Sequence, residues 1–111
     1  MTKYAFMAPV KADKMADWRR YIGEIKGARH AELKESRDKM GLSREEVWLQ
    51  HTPMGDFAVV YWEAPDIGKV FKQMMSSDAP FDKWFRDHVL VEVHGMDPGA
   101  PPPPMNEAIL T

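Results

Sequence analysis

The sequence predicts an α+β fold: an antiparallel sheet and two helical regions in the order β-α-β-β-α-β, with the helices on one face. Three observations carry this expectation. The stretch from Glu45 to Glu63 reads as two β-rich runs around the turn Pro53-Met54-Gly55-Asp56, a hairpin signal. A strand-like run and a helical region precede it, and a helical region and a strand-like run follow it. Both faces of the hairpin carry apolar side chains, whereas a sheet covered on one face only shows a polar side, so the face away from the helices is expected to be covered too, most simply by a second copy of the chain.

With 111 residues the chain makes one domain around a modest core. A net charge of -2 gives no electrostatic case for nucleic acid or an anionic membrane as partner. The absence of cysteine removes disulfides, a thiolate nucleophile and thiolate metal sites. The N-terminus enters a strand-like run without a signal peptide's apolar region, and no stretch is long enough to span a bilayer. A cytoplasmic protein is expected. Nine Met and four Trp suit a core or an interface lined with large, adaptable groups.

Taken in order, residues 3–10 alternate, with Tyr4, Phe6, Ala8 and Val10 on one side. This predicts a first strand ending near Pro9, which cannot donate to a ladder. Asp13 is the expected cap of the helix that follows. Met15, Trp18, Ile22 and Ile25 form its apolar stripe, which Gly23 and Gly27 interrupt. Beyond Gly27 the pattern turns polar, with Leu33 and Met40 as anchors and Gly41 placed to end the helix in a left-handed conformation. In the hairpin, a turn at Met54-Gly55 would pair Thr52 with Phe57 and Trp48 with Tyr61. One face would carry Val47, Leu49, His51, Ala58, Val60 and Trp62. The other would carry Glu46, Trp48, Gln50, Phe57, Val59 and Tyr61. Ile67, Val70, Phe71, Met74 and Met75 mark the next helix. Asp78 and Pro80 start a short one with Phe81, Trp84, Phe85 and His88 on one face. Alternation from Val89 to His94 predicts the last strand, closed by Gly95. The boundaries expected are a domain over 1–96 and a Pro-rich tail over 97–111.

That element order is the split βαβ, or ferredoxin-like, arrangement. With it, three pieces of sequence carry a resemblance: Gly-Leu-Ser-Arg-Glu-Glu at 41–46, Gln-His-Thr-Pro-Met-Gly-Asp at 50–56, and Ser-Asp-Ala-Pro-Phe-Asp-Lys-Trp-Phe-Arg-Asp at 77–87. Over residues 3–96 the chain resembles the dimeric α/β-barrel superfamily, and within it a small bacterial family of unassigned function. The resemblance implies two protomers packed sheet to sheet, with ligand cavities inside. Activity does not follow from it, because the superfamily holds monooxygenases, haem enzymes, isomerases, mutarotases and simple binding proteins.

The residues themselves offer a short list of candidates. His94 and Glu92 would share a strand face, where a carboxylate can orient an imidazole and raise its pKa. His88, on an apolar stripe, is a second acid/base candidate if it meets a cavity. Trp48, Gln50, Tyr61, His51 and Trp84 are the expected ligand contacts: a largely apolar lining with a few polar groups. No metal-ligand spacing and no glycine-rich phosphate loop appears, so no metal or cofactor is expected. Two functions stand. One is a homodimeric protein that binds a small aromatic or apolar molecule, as a cofactor-independent monooxygenase or isomerase. The other is a non-catalytic dimeric module in which the same residues form interface and core.

Overall fold

The computed structural model describes residues 1–111. Strand β1 spans Thr2–Val10, helix α1 Met15–Lys26, helix α2 His30–Met40, and strands β2 and β3 Arg44–Thr52 and Gly55–Ala64. Helices α3, Ile67–Ser76, and α4, Pro80–Phe85, follow, and α4 runs on as a wider π-helical segment, Arg86–Val93. The sheet has three strands in the order β1-β3-β2, with antiparallel neighbours. β3 therefore lies between β1 and β2, as in the first three strands of a split βαβ unit. The α+β class and the antiparallel sheet hold.

Side-chain alternation sets the faces as expected. Tyr4, Ala8 and Val10 of β1 and Ala58, Val60, Trp62 and Ala64 of β3 are buried on the inner face, toward the helices. The register is offset from the expected one: Trp48 pairs with Val59 and Thr52 with Gly55, so the turn residues are Pro53 and Met54. The offset is two residues along β3. A two-residue slip preserves the side each residue faces, so both faces keep their members. On the inner face Trp62 meets Phe71 of α3 at 4.8 Å between ring centroids, and Tyr4 meets Phe71 edge-on at 5.6 Å. Such ring pairs add to burial through quadrupole complementarity.

The helices divide where glycine permits. α1 ends at Gly27, where an added Cβ would stand 3.2 Å from the Gly23 carbonyl oxygen. Gly41 ends α2 at φ 77°, the left-handed cap expected for it. Asp13 is no cap: it lies in a short 3-10 turn, Ala12–Lys14, and neither that turn nor α1 has a side-chain cap. Asp66 does cap α3, accepting from the Lys69 N–H.

The fourth strand is a correction. Residues 89–94, expected to be extended, are helical through Val93, and the His94 N–H donates to the Val89 carbonyl, a π-type bond. No Gly, Pro or Asn lies between Pro80 and Gly95 to stop α4, so the helix continues. Val89, Leu90 and Val93 are buried while Val91 is exposed, a helical pattern of burial. The βαββαβ order thus becomes β-α-α-β-β-α-α. The edge of β1, where a fourth strand would pair, is closed in another way. The His94 ring bonds the Pro9 carbonyl at 2.9 Å. The Asn106 side-chain amide, from the tail, accepts from the Ala5 N–H and donates to the Ala5 carbonyl, each at 2.7 Å. One side-chain amide so imitates the backbone of a missing strand.

Candidate functional site

A cavity of about 240 Å³ lies between the inner face of the sheet and the helices, and twelve of its sixteen lining residues are hydrophobic. It runs across the sheet: Phe6 belongs to β1, Val60 and Trp62 to β3, and Val47 to β2. Trp18, Ile22 and Ile25 of α1, Leu33 of α2 and Val89 and Leu90 of the π segment form the opposite wall. The helices cover the β1 side more fully than the β2 edge, where Val47 remains 40% exposed. The polar lining consists of His94, Arg37, Glu45 and Lys26.

His94 is held firmly. Its Nδ1 lies 2.9 Å from the Pro9 carbonyl, and a carbonyl only accepts, so Nδ1 carries the proton. In the neutral ring Nε2 is then the open acceptor. Burial pushes the His94 pKa below the ordinary histidine value, and the bond to Pro9 only partly opposes that. A neutral imidazole with a fixed tautomer is suited to take a proton from a bound molecule.

Buried Arg37 pairs with half-buried Glu45. The Arg37 Nε donates to Glu45 Oε1 at 2.9 Å and Nη2 to Oε2 at 3.3 Å. The Trp62 Nε1 adds a bond to Oε2 at 3.3 Å, and the Arg37 Nη1 donates to the Ser36 hydroxyl. The guanidinium also lies 4.5 Å from the Phe85 ring centroid. Such a pair persists in an apolar wall because each ion's hydrogen bonds are met by the other and by neighbours.

The residues expected at the site fall in four places. His94 lines the cavity. Glu92 does not pair with it: on a helix, residues two apart point to opposite sides. Glu92 instead accepts from the Tyr21 hydroxyl at 2.8 Å and lies 3.4 Å from the His88 Nδ1. The Tyr21 bond leads in holding the Glu92 carboxyl below its ordinary value, and the same bond leads in raising the Tyr21 phenol. Trp84 joins this second group. Its ring stands 5.8 Å from those of Tyr21 and His88, with the Arg29 guanidinium 4.3 Å from its centroid. The group sits where α1 meets α4 and the π segment, and none of its members lines the cavity. Trp48, Gln50 and Tyr61 lie on the outer face of the sheet, with Trp48 58% exposed and the Tyr61 hydroxyl donating to Glu63. His51, exposed at the hairpin end, bonds Asp56 at 2.8 Å.

Arg37, Glu45 and Lys26 were not among the expected site residues. Arg37 had a visible signal: it falls on the Leu33–Met40 stripe of α2, at i+4 and i−3 from those anchors. Glu45 and Lys26 had none, since only the fold brings their separate elements together. No three His, Asp or Glu side chains stand together as a metal-holding group. The chain matches no family model and no curated protein.

Proposed function

We propose that this protein binds a small, largely apolar molecule in the cavity beneath the sheet and that His94 acts on it as general base. The observation that carries the reading is the pinned imidazole: Nδ1 is committed to Pro9, and the ring lines an apolar chamber. A proton removed from a carbon acid by Nε2 and returned to another carbon is an isomerisation. The same first step opens a cofactor-independent oxygenation, in which the substrate carbanion passes electrons to O2. Apolar walls favour both, because they keep water from the carbanion.

The protein works as a homodimer in this reading, paired through the outer face of the sheet. Met7 and Trp48 are each 58% exposed there, beside Phe57 and Val59, whose side chains are half-buried. An exposed apolar patch with a polar rim is the usual mark of an interface. Arg44, bonded to Glu46, and Lys3 opposite Glu63 supply that rim. This is the ferredoxin-like dimeric arrangement without its fourth strand.

The test is an amide NMR titration with phenol, followed by proton exchange. Phenol is expected to shift the amides of Val60, Val89, Leu90 and His94. Shifts confined to Trp48 and Tyr61 would move the site to the outer face. In D2O a small cyclic ketone should exchange its α-protons faster with the protein than without it. His94→Gln should abolish the acceleration while leaving the phenol shifts intact. Unchanged exchange in that variant removes the base from the reading and leaves a binding module.

A further inference from the structure

Resting on the cavity reading above, we infer that the bound molecule is a monocyclic carboxylic acid, its carboxylate at Lys26 and a proton-bearing group at His94. Size sets the body. An apolar cavity of about 150 Å³ takes benzene, so 240 Å³ has room for one ring with short substituents.

Charge sets the anchor. Four polar side chains line the cavity, and three are accounted for within the protein. Arg37 and Glu45 neutralise each other, and the guanidinium's remaining commitments run to Ser36 and Phe85. His94 is held neutral by its burial. Lys26 is the fourth. It lies in the last turn of α1, exposed at the rim, and alone of the four polar lining residues makes no ion pair or side-chain hydrogen bond. The lining therefore carries one uncompensated positive charge, in a chain whose net charge is -2. An anion completes it, and a neutral or cationic ligand does not.

Position sets the orientation. His94 bonds β1 through Pro9, while the open side of the cavity lies along β2, where Val47 is exposed. Lys26 and His94 line the same cavity, so a ring carrying a carboxylate and a proton donor on opposite carbons can meet both. Nε2 of His94, as an acceptor, selects for that donor.

The experiment is calorimetric titration of the intact protein with 4-hydroxyphenylacetate, its neutral amide and phenylacetate. The acid is expected to bind about fivefold more tightly than the amide, the upper end for a solvent-facing ion pair. It should bind phenylacetate, which lacks the hydroxyl, about fivefold more weakly than the parent acid, the worth of one hydrogen bond. Lys26→Gln, on an exposed position, should erase the gap between acid and amide and leave the amide's affinity unchanged. Equal binding of acid and amide overturns the anionic class while the cavity reading stands. Equal binding of the acids with and without the hydroxyl overturns the orientation toward His94. Failure of all three compounds, together with failure of phenol to shift the lining amides, removes the cavity reading and this inference with it.

Discussion

The two faces of the sheet are both rich in apolar side chains, and they differ in what surrounds those side chains. On the inner face, helices bury Tyr4, Ala58 and Trp62 almost completely and leave a chamber with fixed polar groups in its wall. On the outer face, Met7, Trp48 and Val59 form an open plane. Its polar neighbours, Glu46, Glu63 and Arg44, are engaged with one another or with Tyr61 at the rim. Apolar content alone thus does not separate a sheltered chamber from an open plane. The separation comes from buried, oriented polar groups on one side and their absence from the middle of the other.

The sharpest way to break this comparison is to truncate one tryptophan on each face. Trp62→Ala removes a side chain that is 1% exposed and packed against three other rings. It is expected to cost about 3–5 kcal/mol in urea unfolding. Trp48→Ala should change protomer stability by less than about 0.5 kcal/mol. Trp48→Glu should leave the fold intact and abolish the proposed dimer, read in sedimentation as a monomer. Equal costs for the two alanine variants would mean that the outer face is core rather than interface.

Next in size is the Arg37–Glu45 pair, with side chains 7% and 17% exposed. Glu45→Gln leaves a guanidinium in an apolar wall without its counter-ion, a loss of about 3 kcal/mol. Adding Arg37→Met should recover most of that, because two well-packed neutral groups no longer need each other. If the double variant is no better than the single one, the pair supports the wall by shape rather than by charge. The chamber's titration follows. The folded His94 pKa is depressed, so the unfolded chain takes up its proton first as pH falls. The stability tied to a neutral His94 is therefore full above about pH 6.5. It declines as pH falls below that value toward the lowered folded pKa. His94→Gln should flatten this part of the stability–pH curve, measured by urea midpoints between pH 7 and 5.

Much of the inner and outer faces was legible because strand side chains alternate with period two, whatever the exact register. The hairpin shows this: its pairing was misplaced by two residues and every face assignment survived. The last element was not legible, because Val89, Val91 and Val93 alternate with Leu90, Glu92 and His94 as a strand would. What decided its form was the uninterrupted chain after Pro80, together with the burial of Val89, Leu90 and Val93 as a helical set. That one change of period separated Glu92 from His94 and joined Glu92 to Tyr21 and His88. Of the chamber, His94 was found for the wrong neighbour, and Arg37 was hidden inside a charge run that looked solvated. Lys26 and Glu45 come to line one cavity only when α1 and β2 pack into the fold, which no spacing along the chain records.

A further modest loss is expected at the edge where the two faces meet. The edge of β1 away from β3 has no strand, yet its Ala5 N–H and C=O are both satisfied by the Asn106 amide, with the Tyr4 hydroxyl reaching the Pro103 carbonyl at 3.4 Å. The tail otherwise presents exposed side chains, Ile109 and Leu110 among them, so little apolar burial holds it. Asn106→Ala should therefore lower global stability by only about 1 kcal/mol. Its local effect should be larger: hydrogen exchange at the Ala5 amide should accelerate, and the tail should become sensitive to protease. Exchange at Val60, on the sheltered central strand, should not change. If Ala5 exchange is unaffected, the edge is covered by something other than the tail, and the proposed outer-face dimer is then the place to look for it. An Asn106→Gln variant keeps the amide on a longer arm, so partial protection of Ala5 would show that the bidentate geometry, and not tail proximity, closes the edge.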